Sequence, residues 1–109
     1  MASSAALYRY SALVMATRSE AWEPEGGWDG FPRADDVEEL AWEVLAGWHY
    51  INPTASTSVW ESPQGATVYL AFDHAHALIE VVIGHGGEED PDLDEFAQRL
   101  RRYGLRPVR

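Results

Sequence analysis

Four stretches of the chain carry the apolar pattern of β-strands. Residues 7–18, LYRYSALVMATR, mix aromatic and aliphatic side chains without helical spacing and predict the first strand. The stretches STSVWE, ATVYLAF and ALIEVVI follow later in the chain. SPQG separates the first two of these with proline and glycine at positions that suit a turn, and DHAH separates the last two. We therefore predict four strands, the last three of them joined by two hairpins.

A first helix is predicted between the first two strands. Asp35 is a residue type that caps helix starts, and Glu38 follows three residues later, which matches the spacing of a capping box. Asn52-Pro53 ends it, since the residue before proline disfavours helical geometry. Trp42 falls beside the acidic residues of this helix and outside its apolar stripe. That stripe, which we expect to face the core, comprises Val37, Leu40, Ala41, Val44, Leu45 and Trp48.

A second helix is predicted near the end of the chain. Asp90 is placed to cap it and Pro91 suits its first position. Gly104 is typical of a helix stop, after which Leu105 can fold back onto Leu100. Its expected buried stripe consists of Leu93, Phe96, Ala97 and Leu100.

The predicted fold is an α+β, two-layer sandwich in a single domain over residues 1–109, in the order β-α-β-β-β-α. Its sheet is four-stranded and mostly antiparallel, with both helices on one face. In the second hairpin we pair residues whose numbers sum to about 149, which sets Leu70 against Ile79 and Val68 against Val81. Residues 19–34 are rich in proline, glycine, acids and tryptophan and predict a long acidic loop.

Charge and composition narrow the classes of partner. The formal net charge is -10, from 18 acidic and 8 basic residues, and every basic residue is arginine. Such a chain repels phosphates and anionic lipids, so we expect neither direct nucleic-acid binding nor membrane binding. The N-terminus lacks the long apolar run of a signal peptide or membrane span. The absence of cysteine excludes disulfides and favours a cytoplasmic protein.

The histidines are the only candidates for chemistry. His74 and His76 lie two residues apart beside Asp73, and the predicted topology brings His49 to the same end of the molecule. A metal-binding or hydrolytic site formed by these four residues is one hypothesis. The favoured interpretation is a plain hairpin turn, because no third ligand follows at a fixed spacing and no catalytic motif is present. We therefore predict no catalytic residues, no metal and no cofactor, and an enzyme is the less favoured class.

The acidic residues indicate a binding surface. The predicted threading gathers most of them at the end of the molecule opposite His74, and large aromatic side chains lie among them. Aromatic anchors surrounded by like charges are typical of an interface with an oppositely charged partner. The predicted partner-binding residues are Trp22, Glu23, Glu25, Trp28, Asp29, Phe31, Asp36, Glu39, Trp42, Glu88, Glu89 and Asp92.

These features favour a small acidic protein-binding inhibitor. The hypothesis is an immunity-like or antitoxin-like protein, or a phage-encoded blocker, which mimics nucleic acid and occupies a basic, nucleic-acid-binding surface of its partner protein. Two alternatives stay open. One is the metal-binding or hydrolytic domain. The other is an accessory domain that forms a homodimer through a sheet face containing Trp60 and Tyr69.

Overall fold

The computed structural model describes residues 18–108, which form two α-helices and a six-stranded antiparallel sheet. The helices are α1 (Ala34–Val44) and α2 (Pro91–Arg102). The sheet has the order β2-β3-β4-β5-β1-β6. Its strands are β1 (Arg18–Pro24), β2 (His49–Thr54), β3 (Thr57–Glu61), β4 (Thr67–Phe72), β5 (Leu78–His85) and β6 (Leu105–Val108).

The α+β class and both helices are confirmed, but the predicted count of four strands is wrong. The strand predicted over residues 7–18 lies outside the described residues except for Arg18, which begins β1. Residues 19–24 of the predicted 19–34 loop instead belong to β1, in which Trp22 is buried and Glu23 is exposed, whereas residues 25–33 form turns and irregular chain as predicted. This segment pairs with β5 on one side and β6 on the other. The proline and acidic residues of this segment do not predict a strand, because local composition contains no information about pairing with distant strands.

The first helix is shorter than predicted. It begins at Ala34 after Arg33, which makes no capping hydrogen bond through its side chain, so the predicted cap at Asp35 is wrong. Leu45 already lies beyond its last turn, and the chain from His49 onward forms β2. Pro53 is tolerated there because β2 is an edge strand, where one main-chain donor can be missing.

The second helix matches its prediction at both ends. The side chain of Asp90 accepts a hydrogen bond from the Leu93 amide, and Pro91 occupies the first turn. Gly104 adopts a φ of 95° just after the helix, a conformation that glycine reaches without steric cost. Leu105 is then fully buried and begins β6, a strand that the local sequence pattern does not predict.

The hairpin between β4 and β5 is shifted by two residues from the predicted register. Val68 pairs with Ile83 and Leu70 with Val81, and a β-bulge between the pairings of Ala71 and Phe72 takes up one residue. A shift of two leaves the side chains of Val68 and Leu70 on their predicted face, because sides alternate with every residue. The predicted core face of β4 therefore survives the change in register.

Buried side chains fall into two clusters. The larger contains the buried residues of both helices together with Trp22, Trp60 and Leu70. The smaller consists of Val59, Tyr69, Ala71 and Val82. Trp60 and Tyr69 therefore belong to different clusters, and they are 1% and 6% exposed. The prediction that they share one sheet face is wrong, because Trp60 pairs with Val68 while Tyr69 pairs with Val59.

Candidate protein-binding groove

An open groove lies between helix α1 and the turn that joins β4 to β5. It has a volume of about 210 Å³ and is lined by Asp35, Glu38, Glu39, Trp42 and His76. The four helical residues are spaced i, i+3, i+4 and i+7, so they project from one face of α1. We call this site the α1 groove and the segment Asp73–Ala77 the histidine turn.

Trp42 supplies the aromatic surface of the groove. Its ring contacts Tyr50, with centroids 4.4 Å apart, and meets Trp60 edge-on at 5.2 Å. Tyr50 and Trp60 are 5.1 Å apart, so the three rings form one packed cluster. Trp42 nevertheless stays 48% exposed, whereas Trp60 is buried. A large ring is therefore held in place by its neighbours while nearly half of its surface faces solvent.

His76 closes the groove on the side of the sheet. Its φ of 61° lies in the left-handed region, which ends the tight turn before β5. The imidazole stacks on Phe72 with centroids 4.6 Å apart and ring planes within 4° of parallel. Its Nε2 atom lies 3.4 Å from Oε2 of Glu38. The histidine turn is thus in contact with the first turns of α1.

Asp73 shapes the histidine turn from within. Its Oδ1 atom accepts hydrogen bonds from the Ala75 and Ala77 amides at 2.8 and 3.0 Å. The Asp73 carbonyl also accepts a bond from the His76 amide at 2.9 Å. Side-chain to main-chain bonds of this kind are typical of aspartate in turns. The carboxylate therefore holds the turn together through hydrogen bonds to two of its amides.

The pKa of Asp73 is lowered from its ordinary value of 3.8, first of all because the Ala77 amide donates a hydrogen bond to the carboxylate. A group whose pKa is lower in the folded protein stabilises it above the unfolded-state value, and this contribution is lost as the pH falls through the folded-state value. Replacing Asp73 with asparagine should therefore lower the Tm at about pH 6 by more than it does at about pH 3. Thermal melts across that range measure the difference, and a pH-independent gap would contradict the assignment.

The carboxylates of α1 differ in how far they are neutralised. Asp36 is paired with Arg33 at 2.5 Å and Glu43 with Arg99 at 3.1 Å. Within residues 18–108, neither Asp35 nor Glu39 makes a side-chain hydrogen bond or ion pair. Both of these line the groove. The groove therefore concentrates uncompensated negative charge beside an exposed tryptophan.

The predicted gathering of the acids at the end opposite His74 is wrong. The contact between Glu38 and His76 places the start of α1 beside the histidine turn. Other acids do lie at the far end of the sheet, where Glu20 contacts His85 at 3.2 Å. A second shallow depression there is lined by Arg18, His85, Gly87, Glu88 and Glu89. Helix α1 runs in the direction opposite to the one assumed, so its acids and those after β5 occupy different ends.

The predicted aromatic anchors differ in accessibility. Trp22 is buried in the larger cluster, so it cannot insert into a partner. Trp28 and Phe31 are half-buried and pack edge to face with centroids 5.6 Å apart. Trp42 is the exposed tryptophan. The acids proposed beside them, Glu23, Glu25, Asp29, Glu39, Glu88, Glu89 and Asp92, are exposed, and Asp36 is half-buried.

The four residues of the alternative metal site are not brought together. His49 pairs with Glu61 at the end of β3, beside the turn at residues 62–65. His74 and His76 lie in the histidine turn at the opposite end of the sheet. Within the described part of the chain, no three or more histidine, aspartate or glutamate side chains are grouped so that they could hold a metal ion. The site predicted from His49, Asp73, His74 and His76 is therefore wrong as a single centre.

Sequence reasoning found Trp42 and Glu39 but assigned other roles to the rest of the groove. The sequence pattern assigns Asp35 and Glu38 to a capping box and His76 to a turn. The spacing of Asp35, Glu38, Glu39 and Trp42 is the signal that could have linked the helical residues, since it defines a second face of α1. The contribution of His76 comes from tertiary packing.

Comparisons with known proteins give no further guide to function. Neither a protein-family model nor a curated protein nor a solved structure matches the chain significantly. In residues 18–108, neither helix has the length and apolar character needed to cross a membrane.

Proposed function

We propose that the protein is a small acidic inhibitor that binds a basic surface of another protein through the α1 groove. The observation that carries this proposal is Trp42, which is 48% exposed although its ring is fixed by Tyr50 and Trp60. It shares the groove with the carboxylates of Asp35 and Glu39, for which residues 18–108 supply no ion-pair partner. Interfaces commonly combine a rigid aromatic anchor with surrounding charges that select the partner.

The two kinds of residue would act at different stages of binding. Negative charge attracts a basic partner over distances of several ångströms and raises the association rate. The Trp42 ring gains contact area only after docking, so it slows dissociation. Because Trp42 is already packed against its neighbours, little of its freedom remains to be lost on binding.

The net charge of -10 favours a partner whose own surface binds nucleic acid. Such surfaces carry clustered lysine and arginine. An acidic protein can bind them in place of nucleic acid, because its carboxylates mimic the phosphate backbone. Immunity-like and antitoxin-like proteins and phage-encoded blockers belong to this class of function. We propose a role of this class, in the cytoplasm, and no direct binding of nucleic acid or membranes.

The groove depends on a two-layer scaffold, which is part of the proposal. Buried residues of α1 and α2 share one cluster with Trp22, Leu70 and Ile83 of the sheet, which supports both helices lying on one sheet face. That arrangement places the polar face of α1 at the surface, beside the end of β4. Homodimerisation would need a surface other than the pair Trp60 and Tyr69, since both are buried.

The proposal predicts a strong salt dependence of association. Stopped-flow mixing with a panel of purified basic nucleases and nucleic-acid-binding domains should identify a partner whose association rate falls about 10-fold or more between about 50 and 500 mM NaCl. The dissociation rate should change much less. A partner whose association rate is indifferent to salt would contradict the steering role of the acids.

A matched pair of charge variants locates the steering surface. The double variant Asp35→Asn/Glu39→Gln removes two charges from the groove, and Asp94→Asn/Glu95→Gln removes two exposed charges from the start of α2. Each double variant neutralises one aspartate and one glutamate on a helix, so the net charge changes equally. The groove variant should slow association more than the α2 variant does. Equal slowing would mean that only net charge matters and that the groove is not the contact.

A further inference from the structure

The shape and lining of the α1 groove restrict the chemistry of its occupant. A volume of about 210 Å³ is large enough to accommodate a side chain of a partner. Asp35 and Glu39 are four residues apart on α1, so their β-carbons are separated by about 5–6 Å. Trp42 follows Glu39 by three residues and lies on the same helix face. Two carboxylates and an indole therefore border one small space.

This combination favours a cation over other ligands. An anion would meet three carboxylates, since Glu38 also lines the groove. An apolar group could cover the Trp42 ring, but it would remove water from Asp35 and Glu39 without replacing their hydrogen bonds, which is unfavourable. A cation satisfies both requirements, because the face of an indole attracts positive charge and the carboxylates accept N–H bonds.

Among cationic side chains, arginine fits these groups better than lysine. Its guanidinium is planar and stacks on an aromatic ring, while its five N–H groups can still donate to carboxylates beside the ring. A lysine ammonium is compact and strongly hydrated, so it loses more on leaving water for a half-open groove. The groove combines the flat ring of Trp42 with the carboxylates of Asp35 and Glu39 as acceptors, and a planar guanidinium can contact both kinds of group at once.

We infer that the α1 groove is an arginine-binding site, in which the guanidinium of a partner side chain stacks on Trp42 and donates hydrogen bonds to Asp35 and Glu39. The inference rests on the proposed function, since it names the group through which the basic partner is held. Glu38 contributes charge from its position beside His76. Tyr50 and Trp60 act indirectly by fixing the Trp42 ring.

The test uses three short blocked peptides that differ in one side chain: acetyl-Gly-Arg-Gly-amide and its lysine and citrulline counterparts. Citrulline keeps the planar shape of arginine but carries no charge. Each is titrated into the full-length protein while two-dimensional NMR follows the indole N–H signals of the five tryptophans and the main-chain amide signals of α1, which are retained in variants of Trp42. We expect the arginine peptide to shift the Trp42 signal in a saturable manner, the lysine peptide to bind several-fold more weakly, and the citrulline peptide to cause no saturable shift.

Two variants assign the effect to the groove. Trp42→Leu and Asp35→Asn/Glu39→Gln should each weaken arginine-peptide binding by about 10-fold or more. Asp94→Asn/Glu95→Gln serves as the control and should leave it unchanged. Unchanged thermal melts would show that the substitutions leave the fold intact. Trp42→Phe provides a milder change that keeps an aromatic face, and it should bind better than Trp42→Leu.

The outcomes separate this inference from the proposed function. Equal binding of the lysine and arginine peptides, or arginine binding that survives in the groove variants, would overturn the arginine site. If no peptide binds while a basic partner still associates with the salt dependence described above, the arginine site is wrong and the inhibitor proposal stands. Arginine binding without any salt-dependent partner would support the site and count against the inhibitor.

Discussion

Replacing Gly86 with alanine is expected to lower the free energy of unfolding by about 2–4 kcal/mol. A β-carbon at this position would lie 2.2 Å from the carbonyl oxygen of Gln64 and 2.8 Å from the carbonyl carbon of Gly65. Both are main-chain atoms of the turn between β3 and β4, so no side chain can rotate out of the way. The cost arises from this overlap, because Gly86 itself does not adopt a positive φ.

The turn opposite Gly86 has little freedom to move away. The Ser62 amide donates to the Ala66 carbonyl at 2.9 Å, and the Ala66 amide donates to Oγ of Ser62 at 2.9 Å. The Gly65 amide also donates to the Ser62 carbonyl at 3.1 Å. Ser62 and Ala66 are buried, so breaking these bonds would leave polar groups without water. Relief of the overlap therefore costs hydrogen bonds, which makes the loss of stability large.

Gly47→Ala provides the matched control. It introduces the same methyl group, but apart from its chain neighbours no residue described in 18–108 has an atom within 4 Å of the new β-carbon, and φ is not positive there. Its stability should stay within about 0.5 kcal/mol of the parent or rise slightly, since alanine restricts the unfolded chain. Urea unfolding followed by circular dichroism measures both variants. A Gly86→Ala protein as stable as Gly47→Ala would show that the approach of residue 86 to the turn is not as close as described.

The sequence predicts those parts of the fold whose causes are local. The apolar stripe of α1, including Val37 and Leu40, follows from helical spacing, and both residues are buried. The start of α2 follows from Asp90 and Pro91, which act through neighbouring amides. The hairpin between β4 and β5 follows from two apolar runs around a short polar turn. Each of these features is determined within a few residues of chain.

Two of the missed strands, β1 and β6, depend on distant partners. β1 and β6 pair with each other although Trp22 and Pro107, which lie opposite one another, are separated by most of the chain. Their segments are short and contain proline, so their local pattern is weak. The predicted gathering of the acids at one end of the molecule is wrong for a related reason. The direction of α1 across the sheet decides whether Glu38 contacts His76 or lies far from it. Only the tertiary structure fixes that direction.

The candidate site was predicted in part. The sequence placed Trp42 beside acids and outside the core, and its exposure agrees with that prediction. It could not show that the histidine turn faces α1, since His76 reaches the groove through its stacking on Phe72. Nor could it separate Trp42 from Trp22, which lies among acids of similar composition. Cross-strand pairing and packing decide which of the two rings is accessible.

Replacing Trp22 with alanine should lower the free energy of unfolding by about 3–5 kcal/mol. The side chain is 2% exposed and belongs to the larger core cluster. The guanidinium of Arg101 from α2 lies 5.0 Å from the ring centroid, so truncation also removes a contact between helix and sheet. Trp22→Phe should cost less, because it fills much of the space and removes an indole N–H that has no hydrogen-bond partner among the described residues.

Trp22 and Trp42 should therefore give opposite results when stability and binding are measured on the same proteins. Trp22→Ala should unfold at much lower urea concentration, yet its folded fraction should bind a basic partner with nearly the parent affinity. Trp42→Ala should keep most of the stability, since its ring is 48% exposed, and lose affinity. If Trp22→Ala weakens binding at full folding while Trp42→Ala does not, then the buried tryptophan is the anchor and the α1 groove is not the interface.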